Sequence, residues 1–161
     1  MIIHHQNKSQ HPFLAGNVLT LIIIGFIVQP SIIADEAQSN AKQAAVTAMQ
    51  AWLGEIDQGQ YAASWKDASA NFQKAATSDQ WVAALNSVRT PLGKCKERKL
   101  ASAEYLTEVP ASPGKTLKGE FVLAQFDTSF ENLAYSIETV CFEKAPDGTW
   151  KASGYFIKPK S

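Results

Sequence analysis

Apolar residues recur at helical steps in the first part of the chain and alternate in the second. Ala41, Ala45, Ala48, Trp52 and Ile56 fall three or four apart, with Met49 and Leu53 beside them. That spacing draws one apolar stripe along a helix. The stretch from Asn40 to Ile56 is rich in alanine, the strongest helix former. Gly59 follows where a C-terminal cap belongs. A shorter second helix is predicted from Tyr61, Trp65 and Ala68, which share a face. Thr77 and Gln80 stand three apart ahead of Trp81, Leu85 and Val88, a capping box opening a third helix. Pro91 disfavours helix at Thr90, so "RTPLG" is expected to end it, with Gly93 as the turn.

Beyond Gly93 the period changes to two. "KCKERKLASAEYL" is a long, polar, partly alternating strand, and "VPASPGK" reads as a loop turning at Pro113-Gly114. In "LKGEFVLAQFDTSF", Val122, Ala124 and Phe126 fall on one face, Phe121 and Leu123 on the other. "AYSIETVCFEK" sets Tyr135, Ile137, Thr139 and Cys141 against Val140 and Phe142. "APDG" is a hairpin turn, and "TWKASGYFIK" closes the sheet with Trp150, Tyr155 and Ile157. Helices first and strands after predict an α+β domain, helices on one face of a four-stranded antiparallel sheet curling around them. Both strand faces carry apolar residues. The outer face is therefore expected to be covered, by a second copy in a homodimer; Phe121, Leu123 and Ile137 motivate this.

The N-terminus reads differently. Lys8 and all three histidines (His4, His5 and His11) precede an uncharged apolar run from Val18 to Val28, then Pro30 and "SIIADEA". That is the order of a secretory signal, so residues 1–34 are expected to be a signal peptide and 35–161 a single domain. Cleavage is expected after Ala34, with Ala37 as second choice. The alternative is an inner-membrane anchor over residues 13–33, which reaches a spanning length only by including Asn17, Gln29 and Pro30. A cleaved product would be periplasmic or secreted and would leave the membrane. The 161 residues carry 15 basic and 15 acidic side chains, and cleavage removes only Lys8. A net charge near −1 gives no general attraction to nucleic acid. Export would also allow Cys95 and Cys141 to form a structural disulfide, worth about 3–4 kcal/mol by chain entropy; two buried free thiols are the other reading.

Taken together, several motifs resemble one family. These are "WLGEIDQGQYAASW", a "W…RTPLG…R" segment, the P-x-x-P-G of Pro110–Gly114, "FDTSF", "ETV" and "DGTWKASGYFI". They resemble the bacterial exported family called domain of unknown function 4019, over about Ala41 to Lys158. The resemblance implies a small α+β domain similar to the nuclear-transport-factor-2-like cone. It implies no reaction, because that superfamily holds isomerases, dehydratases and non-catalytic binding modules alike.

The chemistry available to such a domain is narrow. With no histidine after His11 and two cysteines, the common His-based zinc and iron sites and four-cysteine sets have no ligands. Ser–His–Asp and Cys–His arrangements are excluded as well. No cofactor and no metal are expected. Carboxylate chemistry remains. Asp57 at the end of the first helix is either a turn-bonding residue or, beside a tyrosine, a general base. Arg89 and Arg98 either hold an anion or pair with Glu97, Glu104 or Glu138. Trp52, Tyr61, Trp65, Phe72, Trp81, Trp150 and Tyr155 are more rings than a small core hides. Tyr61, Trp65, Tyr155 and Asp57 are thus candidates to line an apolar pocket in the cone. The expected function is a non-catalytic module binding an apolar small molecule or an envelope protein, or dimerising. The alternative is a small isomerase or lyase using Asp57 and a tyrosine.

Overall fold

A computed structural model describes residues 30–112 and 114–160. The apolar run Val18–Val28 lies outside them, as does most of the segment expected to be cleaved. Among the described residues no helix is long and apolar enough to cross a membrane.

Four helices precede four strands. Helix α1 (Pro30–Asp57) buries Ala45, Met49, Trp52, Leu53 and Ile56, the stripe its period predicts. Gly59, at φ +75°, ends the chain's helical path as a non-glycine residue would not readily do. Helix α2 (Tyr61–Lys66) packs on α1 and on α4 (Ser78–Leu92). Thr77 and Gln80 form the full capping box: the Gln80 amide donates to Thr77 Oγ1 at 3.3 Å, and the Thr77 amide donates to Gln80 Oε1 at 2.9 Å. A short helix α3 (Ala70–Ala75) was not legible in the periodicity. It is started locally, by Ser69 Oγ accepting from the Phe72 amide.

Helix α4 departs from expectation at both its face and its end. Its buried positions are Trp81, Leu85 and Arg89, while Val88 is exposed; a cation takes the third place in the stripe. The helix also runs through Pro91 to Leu92. Pro91 sits in the last turn, where it removes only one bond, and the β2–β3 turn satisfies the carbonyls left over. Asn132 donates to Pro91 O from its side chain at 2.9 Å and to Leu92 O from its backbone at 3.0 Å.

The strands β1 (Cys95–Ser112), β2 (Lys115–Phe130), β3 (Leu133–Lys144) and β4 (Trp150–Pro159) form an antiparallel meander in sequence order. The domain is thus α+β, as the sequence implies. Val122, Ala124, Phe126, Val140, Phe142 and Ala152 meet the helices and form one core with them. The segment read as a loop, Val109–Ser112, is strand instead, so β1 and β2 make a long hairpin. Pro110 is tolerated because β1 is an edge strand with no ladder bond required on its outer side. Register shifts at Leu100/Ser102, Leu106/Glu108 and Pro110/Ser112 bend this hairpin.

The expected disulfide is absent: Cys95 and Cys141 are both free thiols. Register explains why. Cys95 lies opposite Phe130, and Cys141 opposite Leu123, seven residues away along β2. At about 3.3 Å per residue the two are separated by about 23 Å along the strand, far beyond the roughly 7 Å limit for bridged Cα atoms. Burial pushes both thiols above their ordinary pKa.

Candidate functional site

Two of the four candidate pocket residues, half-buried Tyr155 and exposed Asp57, belong to one hydrogen-bonded cluster with a carboxylate on the inner face of β3. Inward alternation along β2 and β3 places Thr128 and Glu138 among Phe126, Phe130 and Val140. Glu138 has no exposure to solvent. A carboxylate there is tolerable only if paired. Five contacts pair it. Arg98, near the start of β1, donates from Nε to Oε2 at 2.5 Å and from Nη2 to Oε1 at 3.2 Å. Tyr155 on β4 donates its hydroxyl to Oε1 at 2.5 Å, and Thr128 donates to Oε2 at 2.7 Å. Arg89, from the last turn of α4, adds Nη1 at 3.4 Å from Oε1.

The same two arginines reach the end of α1. Arg89 Nη2 donates to Asp57 Oδ1 at 2.6 Å. Arg98 grips Asp57 with two nitrogens, at 2.7 and 3.1 Å. Arg89 also donates from Nη1 to the Tyr155 oxygen at 3.0 Å, and its guanidinium lies over the Phe130 ring, 4.6 Å from the centroid. Two guanidiniums thus face two carboxylates, with no net charge. Arg89 and Arg98 therefore pair rather than wait for an anion. Glu138 is the partner the sequence offered; Asp57 is one it did not. Glu97 pairs with Lys99 at the surface instead.

This electrostatic closure limits the chemistry. Burial opposes ionisation of Asp57, but hydrogen bonds and charge from Arg98 and Arg89 outweigh it and hold its carboxyl below the usual carboxylate range. Burial and the charge of Glu138 push the Tyr155 phenol above its ordinary value. A weak base and a reluctant acid, both already bonded, form a clamp joining α1, α4 and all four strands. A buried polar residue at an inward strand position was the available signal for Thr128 and Glu138. Among the described residues, no three of His, Cys, Asp and Glu gather as a metal-binding set.

The other two candidates stand apart from the clamp. Tyr61 and Trp65 are half-buried against the core. Trp65 donates its indole N–H to Ala76 O at 2.8 Å. Trp52 and Trp81 donate theirs to Ser64 O and Ser64 Oγ, at 2.8 and 3.0 Å. Trp52 stacks on Trp81 at 5.9 Å and meets Phe142 and Tyr155 edge-on. The rings fill one another's surroundings.

Open apolar space lies on the other side of the sheet. A groove of about 620 Å³ has Leu123, Cys141 and Gly154 as its floor, Leu106 and Leu117 of the bent hairpin on one side, and Phe72 of α3 on the other. Ser69 brings α3 there by donating its amide to Ala152 O on β4, at 2.9 Å. Phe156, 71% exposed, stands at the rim. Phe121 and Leu123, expected on the outer face, do line this groove. Tyr61, Trp65, Tyr155 and Asp57 do not. Its volume lies within the roughly 300–1,000 Å³ of small-molecule sites.

The model of a family described as "Protein of unknown function (DUF4019)" matches residues 48–155. No curated protein matches the chain. No solved structure matches it.

Proposed function

We propose, for a chain that belongs to the DUF4019 family, a non-catalytic exported binding module whose ligand site is the apolar groove on the outer face of the sheet. The observation that carries this reading is the groove itself: about 620 Å³ of apolar-walled space, open to solvent. Water leaving such walls favours an apolar occupant. The charge-paired clamp supports the non-catalytic half, because Glu138 has no unengaged oxygen. The basic, apolar and small-residue order of the first 34 residues supports export to the periplasm or beyond. Helices laid on one face of an antiparallel sheet agree with a domain similar to the nuclear-transport-factor-2-like cone. The isomerase or lyase reading keeps one observation in its favour: Asp57 and Tyr155 share Arg89.

Titration with the neutral apolar dye Nile red separates the two. Gly154→Leu fills the floor of the groove; a Cβ at Gly154 meets Cys141 and Phe156 at ordinary contact distances of 3.5 and 4.0 Å. The expected result is saturable binding, lost in Gly154→Leu and retained in folded Asp57→Asn. Loss in Asp57→Asn with retention in Gly154→Leu would move the site to the clamp and favour the enzyme.

A further inference from the structure

The groove does not end in apolar walls. Beside it lies a second cavity of about 390 Å³, and the two share Asn71 and Phe121. The second cavity carries charge at its lining: Lys118, Lys144 and Lys151 with Glu120 and Glu143. Three of these charges are engaged. Lys144 pairs with Glu120 at 3.0 Å. Glu120 also accepts from the Tyr105 hydroxyl, and both oxygens of Glu143 accept from Asn71 Nδ2, at 3.2 and 3.0 Å. Lys118 and Lys151 have no ion-pair partner among the described residues. Among the described residues lining the apolar groove, Lys74 alone is charged.

Resting on the binding reading above, we infer that the occupant is a single-chain anionic amphiphile, a long-chain carboxylate. Its hydrocarbon tail lies along Leu123, Cys141 and Gly154, and its head group passes Phe121 to reach Lys118 and Lys151. A neutral apolar molecule would leave them unused.

Dodecanoate and dodecan-1-ol, equal in chain length, are competed against Nile red on the full chain. The carboxylate should bind about threefold to tenfold tighter than the alcohol, the range two solvent-exposed charge pairs supply. The preference should shrink with added salt. Lys118→Gln with Lys151→Gln should abolish the preference and leave alcohol binding unchanged. Dodecanoate should protect Cys141 on the groove floor, but not Cys95, from N-ethylmaleimide, a readout that needs no variant to fold. Equal binding of acid and alcohol, or a preference surviving the double substitution, would overturn the anionic assignment while the binding reading stands. Failure of Nile red and both competitors to bind would overturn both. Dye displaced only as a dimer forms would assign the face to a second copy.

Discussion

A carboxylate as deeply buried as that of Glu138 loses several kcal/mol of hydration, which only its partners return. Removing its charge leaves Arg89 and Arg98 sharing Asp57 alone. Glu138→Gln should therefore cost about 3–5 kcal/mol, read as a lower urea midpoint at unchanged slope; a loss under about 1 kcal/mol would show that the arginines find water instead. Asp57 gives the same clamp a pH signature. Its pKa is lowered in the folded state, so its contribution is complete above the unfolded value, near 4. The contribution is lost as pH falls through the folded value. Wild type should exceed Asp57→Asn in stability most at neutral pH, and the gap should close under acid below about pH 4. A constant gap would show that Asp57 acts by packing and not by charge.

The clamp works only if α4 delivers Arg89 to one place, and the two ends of that helix are held by different means. Thr77 caps the first turn through a side chain, so Thr77→Ala should cost about 1 kcal/mol. Gly93 closes the last turn at φ +73°, ψ −159°, backbone that glycine adopts at little cost. A Cβ there would also lie 2.6 Å from Glu131 Oε2, which accepts from the Lys94 amide. Gly93→Ala should cost about 1–3 kcal/mol from backbone strain alone and displace the β2–β3 turn. Thermal melts of the two variants should rank them in that order; the reverse ranking would mean the C-terminal turn yields easily. The capping box was legible because its donors and acceptors lie three residues apart. Helix α3 was not, because six residues carry too little period, and its start depends on one serine. Nor could the end of α4 be read, since its carbonyls are satisfied by Asn132, about forty residues later and brought in by the sheet.

Sheet order decides which distant residues can cooperate. Alternation named the inner core residues of β2 and β3 in advance, because period two is imposed by the pleat itself. It could not give register, and register separates Cys95 from Cys141 while bringing Arg98, Glu138 and Tyr155 together. The bend of the β1–β2 hairpin, which closes one side of the groove, was hidden for the same reason: bulges are not written as a period. At the other end of the molecule, α1 runs from Pro30 through both expected cleavage positions, and residues 33–40 are all exposed. Among the described side chains of the helix, the first that is fully buried is Ala45. Cutting after Ala37 rather than Ala34 therefore removes three more residues, all exposed, and tolerance to truncation follows burial. Chains beginning at Asp35 and at Gln38 should unfold within about 0.5 kcal/mol of each other. A chain beginning at Val46 loses Ala45 and the turn that carries it, and should unfold at lower urea. If the Gln38 chain were already weakened, the exposed turns of α1 would have a contact that matters to stability, and cleavage after Ala34 would be the position the domain requires.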